Sequence, residues 1–281
     1  MKKTIVLMMA LALVSCERER MVQPESDEIS FRIGYPVTKA TATAFEQGDA
    51  VSIYAVEHSA PLQVGGNYLN NEKLTFDGTN WNGARTLYWS DVACDFYAFY
   101  PYQPSVGSIE DYPFSVETDQ NGDGMEKSDL LYASAQNVSR SNGSVDLSFY
   151  HMMSKVIVNI VKGEKFEGDI PDDVVAHVYN TITSCRVDWA KGSVEKNPFG
   201  TKNTITMKKI SNTRFEAVLV PQNIERSTPL VEITMGGIAY LLETSLSFRP
   251  GFVHTLTVKL NTSPDQEQIE ISIDPSTGSW N

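Results

Sequence analysis

Glu28-Ile29-Ser30-Phe31-Arg32-Ile33-Gly34-Tyr35 alternates polar and apolar residues one for one, and this period decides the fold. Successive side chains of a strand point to opposite faces, so Ile29, Phe31, Ile33 and Tyr35 share an inward face. The period returns at Val51, Ile53 and Ala55, and at Leu74 and Phe76 before the turn Asp77-Gly78-Thr79-Asn80 and Trp81. It returns again at Val156, Val158 and Ile160; at Val174, Ala176 and Val178; and at Cys185, Val187 and Trp189. Phe215, Ala217 and Leu219, then Val231, Ile233 and Met235, then Leu256, Val258 and Leu260 continue it. A last, separate alternation of Ile269, Ile271 and Ile273 in residues 268–274 follows Asn261-Thr262-Ser263-Pro264. Short runs parted by Gly, Pro, Asn and Asp predict an antiparallel β-sandwich, and no stretch keeps a helical period for three turns. The fold class is therefore all-β. The strands outnumber those of one seven-stranded sandwich, so two tandem domains are expected, residues 28–147 and 148–281, with the break close to 148.

Upstream of the first strand the chemistry changes. Lys2 and Lys3 precede the apolar run Ile5–Leu13, which is about half the length a bilayer requires, so residues 1–15 read as a cleaved signal peptide. Leu13-Val14-Ser15-Cys16 resembles the bacterial lipobox, which implies that Cys16 is acylated and becomes the first mature residue. Each buried methylene of such chains contributes ~0.8 kcal/mol, so two or three chains hold a protein stably on a membrane. Residues 16–27, polar and charged with Pro24, read as a tether. Removing Lys2 and Lys3 takes the formal charge of −12 to −14. That acidity argues against nucleic acid, whose phosphates need a basic stripe, and leaves anchoring to the lipid. Cys94 and Cys185 form no disulfide framework and read as free, buried apolar residues.

Several stretches together resemble the fimbrillin family of Bacteroidales, in particular its Mfa-like branch. They are Phe45-Glu46-Gln47-Gly48-Asp49-Ala50-Val51; Tyr88-Trp89-Ser90; Phe96-Tyr97-Ala98-Phe99-Tyr100-Pro101-Tyr102; and Thr118-Asp119-Gln120. Ser128-Asp129-Leu130-Leu131-Tyr132-Ala133, Leu147-Ser148-Phe149-Tyr150-His151-Met152-Met153-Ser154-Lys155-Val156 and Val218-Leu219-Val220-Pro221-Gln222 complete the set. The resemblance implies two transthyretin-like sandwiches and a stalk, anchor or tip subunit of adhesive surface fimbriae on the outer membrane. Its partners would be other fimbrial subunits, and a host or bacterial surface receptor. It also implies assembly by protease-triggered strand exchange. A trypsin-like protease removes the first strand, here Ile29 to Tyr35, and a neighbour's strand fills the groove. Many relatives carry Thr-Arg-Ala at the cut, whereas this chain has Thr38-Lys39-Ala40, so cleavage is expected at Lys39, before Ala40. Arg32, inside the strand, is expected to be shielded on folding. Ile269, Ile271 and Ile273 either enter a neighbour's groove or complete their own domain.

Other motifs carry less. Asp119-Gln120-Asn121-Gly122-Asp123-Gly124 begins like a calcium loop, with Asp119, Asn121 and Asp123 as ligands, but position twelve is Leu130 rather than Glu. A turn is the plainer explanation. Residues 88–102 hold the aromatics Tyr88, Trp89, Phe96, Tyr97, Phe99, Tyr100 and Tyr102, which alternation divides between two faces as core rather than as a sugar-binding row. His58, His151, His177 and His254 lie in separate elements without metal-ligand spacing, and His151 and His254 read as structural. No Gly-x-Ser-x-Gly elbow is present. No enzyme activity and no cofactor are expected. The alternative to a fimbrial subunit is a glycan-binding outer-membrane lipoprotein of a nutrient-uptake system, which would show Trp81, Trp89 and the tyrosines in an exposed row.

Overall fold

The computed structural model describes residues 27–34, 44–225, 228–262 and 271–280, with the backbone alone for 262 and 271–273. In the first half run β1 (Phe31–Gly34), β2 (Ala50–Glu57), β3 (Leu69–Phe76), β4 (Trp81–Gly83), β5 (Cys94–Tyr100) and β6 (Tyr112–Ser115). A short helix α1 (Gly124–Ser128) precedes β7 (Leu131–Val138), β8 (Val145–Ser148) and β9 (Tyr150–His151). The second half opens with β10 (Ser154–Lys165), β11 (Val175–Ile182), β12 (Ser184–Asp188), β13 (Ser193–Lys196), β14 (Lys202–Thr206) and β15 (Lys208–Ser211). It continues with β16 (Arg214–Leu219), β17 (Gln222–Ile224), β18 (Pro229–Met235) and β19 (Ile238–Glu243). β20 (Leu246–Phe248), β21 (Phe252–Thr262) and β22 (Ile271–Ser279) end the chain. The protein is all-β, as the alternation required.

A six-stranded antiparallel sheet in the order β4-β3-β2-β5-β7-β9 organises the first half. Alternation splits it between two cores. Val51, Ile53 and Ala55 of β2, with Phe96 and Ala98 of β5, join Val145, Leu147 and Phe149 in one cluster. Tyr54 and Val56 of β2 and Phe99 of β5 join the second half in the other cluster. Phe99 is the hinge pin of that contact, stacked on Trp189 at 4.1 Å and 17° and on Tyr54 at 5.5 Å. The second half pairs a five-stranded sheet, β15-β16-β10-β21-β22, with a four-stranded one, β14-β11-β18-β19, around a shared core that includes Val158, Phe215, Leu256, Val178 and Ile233. β6, from the first half, lies antiparallel to β12 and ties the two halves through backbone bonds as well.

Two pairings depart from the expected antiparallel pattern: β1 with β8, and β10 with β21, are parallel. Hairpins force antiparallel neighbours, but long connections do not. Residues 166–251 intervene between β10 and β21, so the chain returns in the same direction.

Two buried glutamines from the family-like motifs act as pieces of strand. β15 covers the outer edge of β16 only as far as Glu216. There Gln120 Nε2 donates to Val218 O and Val218 N donates to Gln120 Oε1, both at 2.7 Å. β18 accompanies β11 only as far as Val178. Ile182 N then donates to Gln222 Oε1 at 2.9 Å, and Gln222 Nε2 donates to Ile182 O at 3.0 Å. Each amide supplies the donor and acceptor of a missing neighbour, so the buried backbone stays paired.

His254 is buried on β21 and ties β22 to the preceding turn. Arg249 N donates to its Nε2 at 3.3 Å, and its Nδ1 lies 3.2 Å from Thr277 Oγ1. Burial, with nearby Arg249, pushes its pKa down to about 4. The unfolded chain therefore binds a proton below about pH 6.5 that the folded chain refuses until about pH 4. Stability is fully present above that window and falls through it, by on the order of 2–3 kcal/mol for this group. Urea midpoints measured between pH 7 and pH 4.5 are expected to fall, and His254→Gln is expected to flatten that slope. An unchanged slope in the variant would place the acid sensitivity elsewhere.

Candidate functional site

β1 is a short edge strand of the first half. Its alternation leaves Ile29, Phe31 and Ile33 half-buried against the six-stranded sheet while Ser30, Arg32 and Gly34 are exposed. The Phe31 ring meets Phe96 edge-on at 6.1 Å. β1 has one strand neighbour, β8, in the register Phe31↔Val145 to Gly34↔Ser148. Ahead of β1, Glu28 forms an antiparallel bridge with Tyr88. Tyr35, the fourth residue of the predicted face, lies outside the described residues, as do Cys16, Lys39, Ala40 and Ile269.

Arg32 differs from expectation. Its side chain is 69% exposed rather than shielded, and pairs with Asp146 at 2.6 Å. That hydrogen bond holds the Asp146 carboxyl below the usual carboxylate range. Arg32 points outward because the alternation turns its neighbours inward. What protects its peptide bonds is the ladder to β8, since a trypsin-like enzyme needs an unpaired extended chain.

A groove of about 920 Å³ runs beside β1, lined by residues 28–33, Phe76, Thr79, Asn80, Trp81, Trp89, Arg140, Ser141 and Gly143. Sequence reading missed it, although Phe76 and Trp81 flanking a tight turn mark one of its walls. At the other end of the chain, β22 lies antiparallel along β21 from Phe252↔Ser279 to Leu260↔Ile271, with Ile273 opposite Val258. Trp280 then tucks into the junction of the halves, stacked on His151 at 3.8 Å and 6°. His151 Nδ1 lies 2.9 Å from Asp129 Oδ1. In this structure the last strand completes its own sheet.

The remaining candidates separate. Asp119 Oδ1 accepts from Asn121 N at 3.1 Å and from its Nδ2 at 2.9 Å. Asp123 turns to Lys127 at 2.9 Å, within the first turn of α1. The three are thus engaged one by one, and no group of three His, Cys, Asp or Glu among the described residues is placed to hold a metal. Trp89 is buried against Phe96, and Trp81 packs on Phe45 at 4.9 Å. Of the aromatics in residues 88–102 only Tyr88 stands well out, so they form no flat row. His58 Nδ1 lies 2.8 Å from Asp95 Oδ1, and Asn137 N and Ser59 N also donate to that buried carboxylate, which fastens loops. Cys94 and Cys185 are free and buried, and burial pushes the Cys185 thiol up to about 12.

The profile of the family described as Fimbrillin-like matches residues 38–280. A proposed fimbrium tip subunit of Bacteroides ovatus, Fim1C, is 32% identical over 133 residues, covering 42% of this chain. The matched part is 24% of that relative's length. Among solved structures, a proposed cell adhesion protein of Bacteroides uniformis superposes with a TM-score of 0.71 at 20% identity, over 91% of this chain and 100% of that one. Another from Bacteroides ovatus gives 0.68 at 16% identity, over 90% and 97%.

Proposed function

This chain belongs to the fimbrillin-like family, and from that premise we propose that it is a subunit of an adhesive surface fimbrium, assembled with other subunits by strand exchange. In this reading two transthyretin-like sandwiches, 28–147 and 148–281, stand on the outer membrane through the acylated Cys16. The observation that carries it is the contrast between the first and last strands. Both are edge strands with one neighbour each, but β1 pairs with β8 over four residues whereas β22 pairs with β21 over nine. β22 is paired along its length and pinned by Trp280. A subunit so built gives up its first strand readily and keeps its last. That suits the terminal, tip position, which receives a strand and need not offer one.

The physics is edge pairing. Losing β1 would leave the donors and acceptors of β8 unpaired and uncover Phe96, and an incoming strand with alternating apolar residues would satisfy both. The cut falls after Lys39, between β1 and Phe45. The test is the N-terminus of the protein recovered from outer membranes of its host, mapped by mass spectrometry. A mature form beginning at Ala40 beside an acylated Cys16 precursor is the expected result. Recovery of the acylated Cys16 form alone, with residues 28–36 intact, would overturn the exchange.

A further inference from the structure

Successive residues of a strand aim their backbone groups at its two edges in turn. Ser30 O and Gly34 O accept from Val145 N at 2.8 Å and Phe149 N at 3.0 Å, so the even-numbered residues face β8. Asp27 O accepts from Trp89 N at 2.9 Å and Ile29 N donates to Leu87 O at 2.8 Å, so the odd-numbered residues face the other edge. Residues 87–89 leave that edge after Ile29. Since β1 pairs with β8 alone, the N–H and C=O groups of Phe31 and Ile33 have no strand partner among the described residues, and both residues line the 920 Å³ groove.

We propose that this edge of β1 is a strand-acceptor site for a single extended peptide segment from another chain. The segment pairs antiparallel to β1, in continuation of the Glu28–Tyr88 bridge. Its alternate apolar side chains lie on Phe76, Trp81 and Trp89. The occupant is a peptide because the unmet groups are backbone donors and acceptors at strand spacing, which another backbone satisfies best. It is a lone strand because residues of the β3–β4 hairpin, Phe76, Thr79, Asn80 and Trp81, line the same groove and bound it. The site exists while β1 is in place, so it rests on no removal of that strand.

The test uses the purified full chain and a fluorescein-labelled peptide, KKTVTITVTKK, read by fluorescence anisotropy. Ile33→Pro removes a groove-facing N–H and leaves the β8 ladder, which uses Arg32 and its even neighbours. It is expected to weaken binding about tenfold or more. Gly34→Cys with Ser148→Cys, opposite each other across β1 and β8 and outside the groove lining, ties the strands when oxidised and is expected to leave affinity unchanged. Hydrogen exchange on the unmodified chain is expected to show new protection at the Phe31 and Ile33 amides with peptide present, which decides the matter if Ile33→Pro fails to fold. Absence of saturable binding at millimolar chain overturns the proposal, as does equal binding by a folded Ile33→Pro chain or absence of the new protection. Loss of binding in the tied chain also overturns it, because the peptide would then be replacing β1 rather than lying beside it.

Discussion

Trp189→Ala is expected to remove about 3–5 kcal/mol of unfolding free energy, a large share of a marginal total. Trp189 is fully buried, stacks on Phe99 at 4.1 Å and meets Tyr112 at 5.7 Å, so it fills the seam between the halves. Truncation removes those contacts and leaves a cavity that two rigid sheets collapse into poorly. The denaturation curve, followed by circular dichroism, is expected to broaden or split as the first half loses its partner. Its indole N–H has no hydrogen-bond partner among the described residues, so Trp189→Phe sheds an unmet donor. That variant is expected to stay within about 1.5 kcal/mol of the parent. Equal losses in the two variants would refute the seam as the origin of the effect.

Glu216→Gln is the second large effect, also about 3–5 kcal/mol, because it strands a charge. Lys155 Nζ sits 2.6 Å from Glu216 Oε2, and Arg214 Nε donates to Glu216 Oε1 at 2.8 Å. Both Lys155 and Glu216 are buried. Burial pushes the Glu216 carboxyl up, but Lys155 and Arg214 outweigh it and hold it below the usual carboxylate range. The pair's contribution is therefore present above the unfolded Glu pKa of about 4.3 and is lost as pH falls through the lower folded value. The double change Lys155→Met with Glu216→Leu removes both charges and is expected to recover most of the loss in a urea titration. A double variant no more stable than the single one would show that packing, not charge, sets the cost.

Much of the fold was legible because a strand buried on one face leaves a period of two, and β2 carries one on each face. Val51, Ile53 and Ala55 were readable as inward, and the structure adds that Tyr54 and Val56 point to a second core. The parallel pairing of β10 with β21 was not legible, because periodicity records burial and is silent on direction between distant strands. The inward set Ile29, Phe31 and Ile33 was legible for the same reason as β2. Exposure of Arg32 follows from that alternation too, but its β8 partner, 114 residues away, does not. The groove beside β1 depends on where residues 87–89 part from it, a matter of tertiary path that local pattern does not encode. Gln120 and Gln222 stood in the family-like motifs as bare letters, and their use as substitute backbone needed coordinates.

Those two amides bear on a hazard specific to the proposed assembly. A subunit that assembles through strand edges is solvated among many copies of itself, and every unfinished edge invites pairing in the wrong place. Gln120 on β16 and Gln222 on β11 act as plugs where a ladder stops short, so those sites offer nothing to a stray strand. Selectivity among edges then comes from closing the wrong ones as much as from shaping the right one. Under the proposed assembly, weakening either plug would turn an orderly polymer-former into a precipitate with the joining surfaces unchanged.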